Sequence, residues 1–243
     1  MSIEKIKRIS LWSGPRNIST TLMYSFAQRK DTKVFDEPLY AYYLKTYPDA
    51  KNYHPGADKI LNTMEVDGNK VVEMMLTDTS KPVLLFKNMT HHLQGLDRHF
   101  LKDTINIILT RDPKEMIPSY AKVITNPKLH DVGYKMQAEL VEDLQKREIP
   151  VVVVDAKKVL LNPYKQLQKL CAYVGIPFDD SMLKWPSGPR PEDGSWANYW
   201  YANIHNSTGF LPYVPKKERF PEHLESLLEE CLPYYNQLQK LTL

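Results

Sequence analysis

The sequence has few of the residues that stabilise secreted or metal-bound domains. Only two of its 243 residues are cysteines, Cys171 and Cys231, and they stand far apart in helix-like runs. A disulfide framework or a cysteine-based zinc site is therefore not expected. Both cysteines are predicted to be buried free thiols in a protein of a reducing compartment.

Long apolar runs and a strong charge of one sign are also missing. No apolar stretch reaches the ~18–20 residues that cross a bilayer, and the charged segment 1–8 leads straight into a strand-like run, so neither a membrane span nor a signal peptide is predicted. The net charge is only +3, with the basic residues dispersed, whereas nucleic-acid binding needs a denser basic face. We expect a cytoplasmic protein that binds neither membrane nor nucleic acid. The sequence does not indicate an oligomeric state.

Short apolar runs and helical patterns alternate along most of the chain. Strand-like runs lie at residues 9–12, 33–35, 82–86, 105–109 and 151–154, and helical patterns at residues 19–29, 69–76, 113–123, 137–147 and 164–174. The runs are apolar on both faces, which is typical of parallel strands covered by helices. The pattern predicts a three-layer α/β fold with a mostly parallel sheet of about five strands.

The C-terminal third has a different composition. Residues 177–221 are rich in proline and aromatic residues and show no strand rhythm, and a helical pattern follows at residues 222–241. We predict an irregular lobe packed over the sheet and a closing helix. With a core over about residues 8–175, the whole chain, residues 1–243, is predicted to form one α/β domain with this lobe.

The first strand-like run is followed by a glycine-containing turn and then a helix. The junction reads SGPRNISTT from Ser13 to Thr21. Such a turn directs backbone N–H groups at one point, and the helix dipole adds partial positive charge there. The hydroxyls of Ser19, Thr20 and Thr21 could cap the helix, donate to a phosphate, or both. The segment is predicted to be a phosphate-binding loop.

This loop departs from the nucleoside-triphosphate loop G-x-x-x-x-G-K-[ST] at two positions. Gly14 matches the first glycine and Thr21 the final hydroxyl, but Ser19 replaces the second glycine and Thr20 the lysine. Without that lysine, phosphoryl transfer from ATP is disfavoured. A small-molecule kinase therefore stays open only as a less favoured alternative.

Two motifs resemble those of P-loop sulfotransferases, which use 3′-phosphoadenosine-5′-phosphosulfate (PAPS) as donor. The family's first loop has a basic residue, then small residues and a Ser/Thr pair. In this sequence Arg16 or Asn17 stands at the basic position, and Ser19, Thr20 and Thr21 resemble the residues with hydroxyls. In the family, a later strand ends in an arginine that is followed by a proline and then a serine. Arg111, Pro113 and Ser119 of this sequence resemble that motif. The resemblance covers roughly residues 8–175.

The resemblance implies a nucleotide site and a P-loop fold. The first loop would hold the 5′-phosphosulfate, and Arg111 with Ser119 would hold the 3′-phosphate. A guanidinium fork matches a phosphate dianion, although Arg111 could also form only a surface ion pair. The family requires no metal. Asp112 is predicted to cap the helix that begins at Pro113, with Glu115 completing a capping box.

Catalytic candidates follow the second and third strands. Glu37 resembles the glutamate base of several sulfotransferase subgroups, and Pro38 should hold it extended. Asp36 and Glu37 could instead only cap a helix or form an ion pair. Lys87 matches the lysine of cytosolic members, whereas Met89 stands where those members have a histidine base. His91 remains a candidate nearby, and either Glu37 or a residue of segment 87–92 could be the base.

These features predict a sulfotransferase that moves a sulfonate from PAPS to the hydroxyl or amine of a small acceptor. A non-catalytic nucleotide- or anion-binding protein of the same fold is the main alternative. Packing is favoured over ligand contact for the aromatic stretch 196–205, although some of its residues could stack on adenine or close over the acceptor. Arg190 is only a weak counterpart of the family's C-terminal basic nucleotide loop.

Overall fold

The computed structural model describes residues 6–216 and 218–243. The first five residues of the charged N-terminal segment and Lys217 in the predicted lobe lie outside the described residues. Five strands form one sheet: β1 Lys7–Ser13, β2 Thr32–Asp36, β3 Val83–Met89, β4 Ile105–Thr110 and β5 Val151–Asp155. All five predicted strands are confirmed.

The strands lie in the order β2-β3-β1-β4-β5, and every neighbouring pair is parallel. Side chains alternate between two cores. Ile9 and Leu11 point into one apolar cluster, and Trp12 belongs to the cluster on the opposite face. Because both faces are covered, the strands are largely apolar, as the sequence predicted.

Helices surround the sheet. They are α1 Ser19–Ala27, α2 Tyr40–Thr46, α3 Pro48–Lys51, α4 Ala57–Thr63, α5 Gly68–Thr77, α6 Pro113–Tyr120, α7 Leu129–Val132, α8 Tyr134–Lys146, α9 Ala156–Leu161, α10 Pro163–Val174, α11 Ala197–Trp200, α12 Ala202–His205 and α13 Glu225–Gln239. Single 3₁₀ turns occur at Thr90–Leu93, His99–Asp103, Asp180–Leu183 and Glu222–Leu224. None of the described helices is long and apolar enough to span a bilayer.

Local capping explains where several helices begin and end. The Asp67 side chain accepts from the backbone of Asn69 at the start of α5, and Asn162 caps α10 with Pro163 at its first position. α10 then ends at Gly175, whose φ of 74° suits glycine. The five predicted helices are present, and the predicted closing helix is α13 preceded by a 3₁₀ turn.

The region after α10 is largely irregular, as predicted, with the two short helices α11 and α12. An isolated antiparallel bridge joins Lys184 to Gly209. The Tyr24 hydroxyl on α1 donates to Asp193 at 2.7 Å, and His205 Nε2 lies 2.9 Å from the same carboxylate. These bonds attach the lobe beside the carboxyl ends of the strands, where it covers the candidate site.

Candidate active site

The predicted phosphate loop joins β1 to α1 in a strained conformation. Arg16 and Ile18 both adopt the left-handed region, with φ of 56° and 61°. A Cβ on Gly14 would lie 2.7 Å from the carbonyl oxygen of Val132, so the close approach of the end of α7 requires glycine. Non-glycine residues at positive φ are uncommon and cluster at ligand sites.

The first turn of α1 carries no side-chain cap. Its N-cap residue is Ile18, which makes no capping hydrogen bond, so Ser19 and Thr20 do not serve as caps. The side chains of Ser19, Thr20 and Thr21 line a cavity of about 400 Å³ instead. An uncapped helix start directs N–H groups and partial positive charge toward an anion.

The second motif lies where β4 meets α6. The Asp112 side chain accepts from Lys114 N at 2.9 Å, which confirms the predicted cap. The predicted capping box is wrong, because the Glu115 carboxylate accepts from Arg111 Nη2 at 3.1 Å and also from the Tyr213 hydroxyl. The ion pair that was the alternative for Arg111 is therefore present, yet Arg111 also lines the cavity.

The two motifs meet in space. Arg16 Nε donates to Ser119 Oγ at 3.3 Å, and Arg111 Nη1 donates to the carbonyl of Arg16 at 3.1 Å. Burial, and then the charge of Arg111, lower the pKa of the Arg16 guanidinium. Two guanidinium groups and one hydroxyl thus share a corner of the cavity, and this arrangement favours an anion.

Asn17 has a different environment. It lines the cavity, but its buried side-chain amide donates to the carbonyl of Leu109 at 3.2 Å and ties the loop to β4. Gly14 is absent from the cavity wall and packs against Val132. Of the two candidates for the basic position of the family's first loop, Arg16 therefore matches, because it brings a charge to the cavity.

A buried ion cluster lies across the carboxyl ends of β2 and β3. Lys87 Nζ donates to Asp36 and Glu37, each at 2.6 Å, and to the Tyr201 hydroxyl at 2.8 Å. Burial by itself lowers the pKa of the Lys87 ammonium, but the charges of Asp36 and Glu37 outweigh it and raise the pKa well above its usual value. Lys87 is therefore held as a cation with its three donors used.

Glu37 is not extended as predicted. Its φ is 47°, its N–H continues the ladder to the carbonyl of Lys87 at 2.7 Å, and its own carbonyl accepts from Tyr40 N at 2.9 Å. A tight turn therefore follows β2 directly. Burial raises the pKa of Glu37 to about 7, Lys87 opposes the rise and Asp36 adds to it. A carboxyl group with this pKa can accept a proton near neutral pH.

Two adjacent histidines lie beside this carboxylate. His91 and His92 occupy the 3₁₀ turn after β3, and both are buried and line the cavity. His92 Nε2 is 3.8 Å from Glu37 Oε2, outside hydrogen-bond distance. The predicted candidate His91 lies against Tyr43, with ring centroids 4.7 Å apart. Within residues 6–216 and 218–243, no group of three or more His, Cys, Asp or Glu residues is placed to hold a metal.

Several cavity residues were not found from the sequence. Lys216 lines the cavity and donates to the carbonyl of Glu115 at 2.6 Å, whereas Arg190 contacts Glu192 and the Tyr24 ring. Tyr201 and His54 also line the cavity. Lys216 stands in a short basic run with Lys217, a sequence signal that indicates an anion-binding residue. Tyr201 belongs to the aromatic stretch 196–205, for which packing was favoured, and nothing local to His54 marks it.

A family model described as a sulfotransferase domain matches residues 7–241. The chain belongs to the sulfotransferase family. Two curated proteins of Arabidopsis thaliana, named branched-chain-amino-acid aminotransferase-like proteins 2 and 1, are 40% and 41% identical to this sulfotransferase-family chain over 233 residues. The match covers 95% of the chain but 41% of each relative, so the chain spans about two-fifths of their length. Their names describe those longer proteins.

Solved sulfotransferase structures share the fold. The sulfotransferase domain of the Synechococcus PCC 7002 olefin synthase is 18% identical, with a TM-score of 0.53 over 95% of this chain and 96% of that one. The sulfotransferase domain from the curacin biosynthetic pathway is 16% identical, with a TM-score of 0.58 over 94% and 98%. A sulfotransferase from Alicyclobacillus acidocaldarius is 13% identical, with a TM-score of 0.55 over 97% and 95%. At these identities the similarity concerns the fold.

Proposed function

We propose that this sulfotransferase-family chain transfers a sulfonate from PAPS to the hydroxyl or amine of a small acceptor. The observation that carries the proposal is the contact between Arg16, Ser119 and Arg111. It joins two sequence-distant phosphate motifs at one cavity. A single phosphate needs only one of them, whereas a donor with phosphate groups at two positions uses both.

The residues fit such a donor. The left-handed loop and the uncapped start of α1 suit the 5′-phosphosulfate, with Arg16, Ser19, Thr20 and Thr21 as its ligands. Arg111 and Ser119 suit the 3′-phosphate, and Lys216 adds a further charge at the cavity wall. Thr20 in place of the triphosphate-loop lysine supports this donor over ATP.

The donor supplies a sulfonate attached to a phosphate that leaves readily. Glu37 would take the proton of the acceptor hydroxyl while the hydroxyl oxygen bonds to sulfur. The bond between sulfur and the bridging phosphate oxygen would then break, with its electron pair left on the phosphate. Lys87 holds Glu37 from one side, and Asp36 and Tyr201 hold Lys87. Arg16 and Arg111 would stabilise charge on the leaving bisphosphate.

Calorimetric titration with 3′-phosphoadenosine 5′-phosphate (PAP), the desulfonated donor, tests the proposal. The wild type is expected to bind, and Arg111→Ala to weaken binding by at least about tenfold, because hydrogen bonds to charged groups contribute roughly 1.5–3 kcal/mol. Arg147→Ala is the matched control, since Arg147 is exposed just after the end of α8 and pairs with Asp143. No binding by the wild type, or equal affinity in Arg111→Ala, would overturn the proposal.

A non-catalytic nucleotide-binding protein of the same fold would give the same titration. The raised pKa of Glu37 beside the cavity favours catalysis over that alternative. Transfer of labelled sulfonate from PAPS to any acceptor separates the two functions.

A further inference from the structure

One end of the cavity contains imidazole rings without polar partners. The rings of His91 and His92 lie 4.8 Å apart, and both residues line the cavity at 5% and 1% exposure. All four of their ring nitrogens are buried and lack a hydrogen-bond partner among the described residues. Buried polar atoms are nearly always partnered in native proteins, so this end is built for a polar ligand.

These imidazoles are neutral. Burial lowers the pKa of His91 to about 3 and that of His92 well below its usual value. His54, whose Nδ1 is hydrogen-bonded to the Tyr40 hydroxyl, has its pKa lowered by burial to about 4. A neutral imidazole has one N–H donor and one nitrogen acceptor. A hydroxyl group, which both donates and accepts, is the complementary partner.

Aromatic rings line the same cavity. Tyr40 stacks on His92 with ring centroids 5.0 Å apart, and Tyr120 stacks on Trp200 at 6.2 Å. Tyr40, Tyr120 and Trp200 all line the cavity. Flat aromatic walls with a few polar groups between them suit a ring-shaped ligand with hydroxyls at its edge.

The charges near the histidines are already paired. Lys87 is bonded to both Asp36 and Glu37, and Glu37 Oε2 is the carboxylate oxygen nearest to His92. A carboxylate on the acceptor would be repelled by Glu37, and a fixed ammonium would compete with Lys87 for it. An uncharged acceptor avoids both penalties.

We propose that the acceptor is an uncharged ring bearing two adjacent hydroxyls, held by His54, His91 and His92 so that one hydroxyl lies beside Glu37 and the other bonds the imidazoles. This rests on the proposed function for the role of Glu37. It goes further in naming the acceptor class and the residues that select it. Such a ring occurs in catechol-type compounds and in sugars.

Saturation-transfer NMR with PAP-saturated protein measures acceptor binding without turnover. 4-Methylcatechol represents the catechol-type compounds, and methyl glucoside represents the sugars. p-Cresol is the probe with a single hydroxyl, and 3,4-dihydroxybenzoate is the charged probe. At least one of the first two is expected to bind. The probe that binds is expected to do so at least about tenfold more tightly than p-cresol and 3,4-dihydroxybenzoate, because a lost partner leaves buried nitrogens unsatisfied.

His91→Phe and His92→Phe keep a planar ring and remove the hydrogen bonds. Each is expected to weaken the preferred probe by at least about tenfold and to abolish its advantage over p-cresol. His99→Phe is the control, since His99 is exposed and paired with Asp97. PAP affinity should stay unchanged in all three variants.

The inference is overturned if neither dihydroxy probe binds, if p-cresol or the charged probe binds equally well, or if folded histidine variants bind like the wild type. The probe comparison in the wild type does not depend on the variants folding. Failure of the proposed function gives a different result, namely no PAP binding by the wild type, which is measured separately.

Discussion

At the residue scale, the carboxylate of Glu37 is surrounded by groups that act on its charge in opposite directions. Lys87 lies 2.6 Å from one oxygen and favours the ionised form, whereas Asp36, the preceding residue, opposes it. The neutral His92 ring lies 3.8 Å from the other oxygen. Burial is the largest influence and raises the pKa of Glu37 to about 7. The carboxylate is therefore ionised above this pH and protonated below it.

This pKa predicts the effect of Glu37→Gln. With any acceptor that the wild type sulfonates, kcat is expected to fall by about 10²–10⁴-fold, the usual contribution of a general base, while PAP affinity stays within about twofold. Since the base acts when deprotonated, the wild-type rate should rise as the pH passes through about 7 and then level off. Initial rates with labelled PAPS from pH 5.5 to 8.5 measure both effects. A variant with the wild-type rate and pH profile would exclude Glu37 as the base.

Replacing Lys87 is expected to lower the free energy of unfolding. Lys87→Met leaves Asp36 and Glu37 buried without their shared cation, and breaking a buried pair costs about 3–5 kcal/mol of the free energy of unfolding. Denaturant titration measures the loss. The control is Lys70→Met on α5, where the lysine is exposed and 3.9 Å from Glu65, and a change within about 0.5 kcal/mol is expected. Equal losses in the two variants would contradict the structural role given to Lys87.

At the element scale, the β1–α1 loop depends on the segment that packs against it. The loop curves under the end of α7, where the Val132 carbonyl would lie 2.7 Å from a Cβ at position 14. Arg111 donates to the carbonyl of Arg16 from the other side. The loop is therefore positioned by two later parts of the chain as well as by its own sequence.

Gly14→Ala is expected to displace this loop. The added methyl group meets a backbone carbonyl that cannot rotate away, so the substitution should cost about 1–3 kcal/mol of the free energy of unfolding and weaken PAP binding by at least about tenfold. Calorimetry and denaturant titration measure the two effects. Gly188→Ala is the comparison: its added Cβ meets nothing within 4 Å, and its φ of 106° makes strain the only penalty. Stability should fall there with PAP affinity unchanged. Unchanged PAP binding in Gly14→Ala would contradict this account of the loop.

Also at the element scale, the strands of the sheet could be predicted from the sequence, whereas some helices could not. Four of the five strands are buried on both faces over most of their length, so their apolar runs are visible without knowledge of their neighbours. The edge strand β2, where Lys33 is exposed, is the exception. The helices α2, α3 and α4 were missed because Pro48, Pro55 and Gly56 interrupt the region and tyrosines dominate its apolar positions. Their amphipathic pattern is therefore short and ambiguous.

Individual side chains were the least predictable. The expectation for Glu37 rested on the usual effect of a following proline, and the turn that bonds its carbonyl to Tyr40 N overrides that preference. Glu115 fits a capping box by spacing, but Arg111 competes for its carboxylate. The contact of Tyr201 with Lys87 joins residues 114 positions apart, which no local pattern reveals.

At the scale of the whole molecule, the cavity is assembled from distant segments that share one edge of the sheet. β1 and β4 bring the β1–α1 loop to Arg111, β2 and β3 bring Glu37 to Lys87, and the C-terminal lobe adds Tyr201 and Lys216. Parallel strands make this possible, because their carboxyl ends all lie at the same edge. The two strand-end motifs could thus be predicted from sequence, whereas the lobe's contribution required the folded chain.

The most direct test of this account is a crystal structure of the protein with PAP bound. We expect the 5′-phosphate within hydrogen-bond distance of the loop that includes Arg16, Ser19 and Thr20, the 3′-phosphate against Arg111 and Ser119, and the Glu37 carboxylate facing the open end of the cavity. A nucleotide bound with neither phosphate at these residues, or bound outside the cavity, would contradict the account.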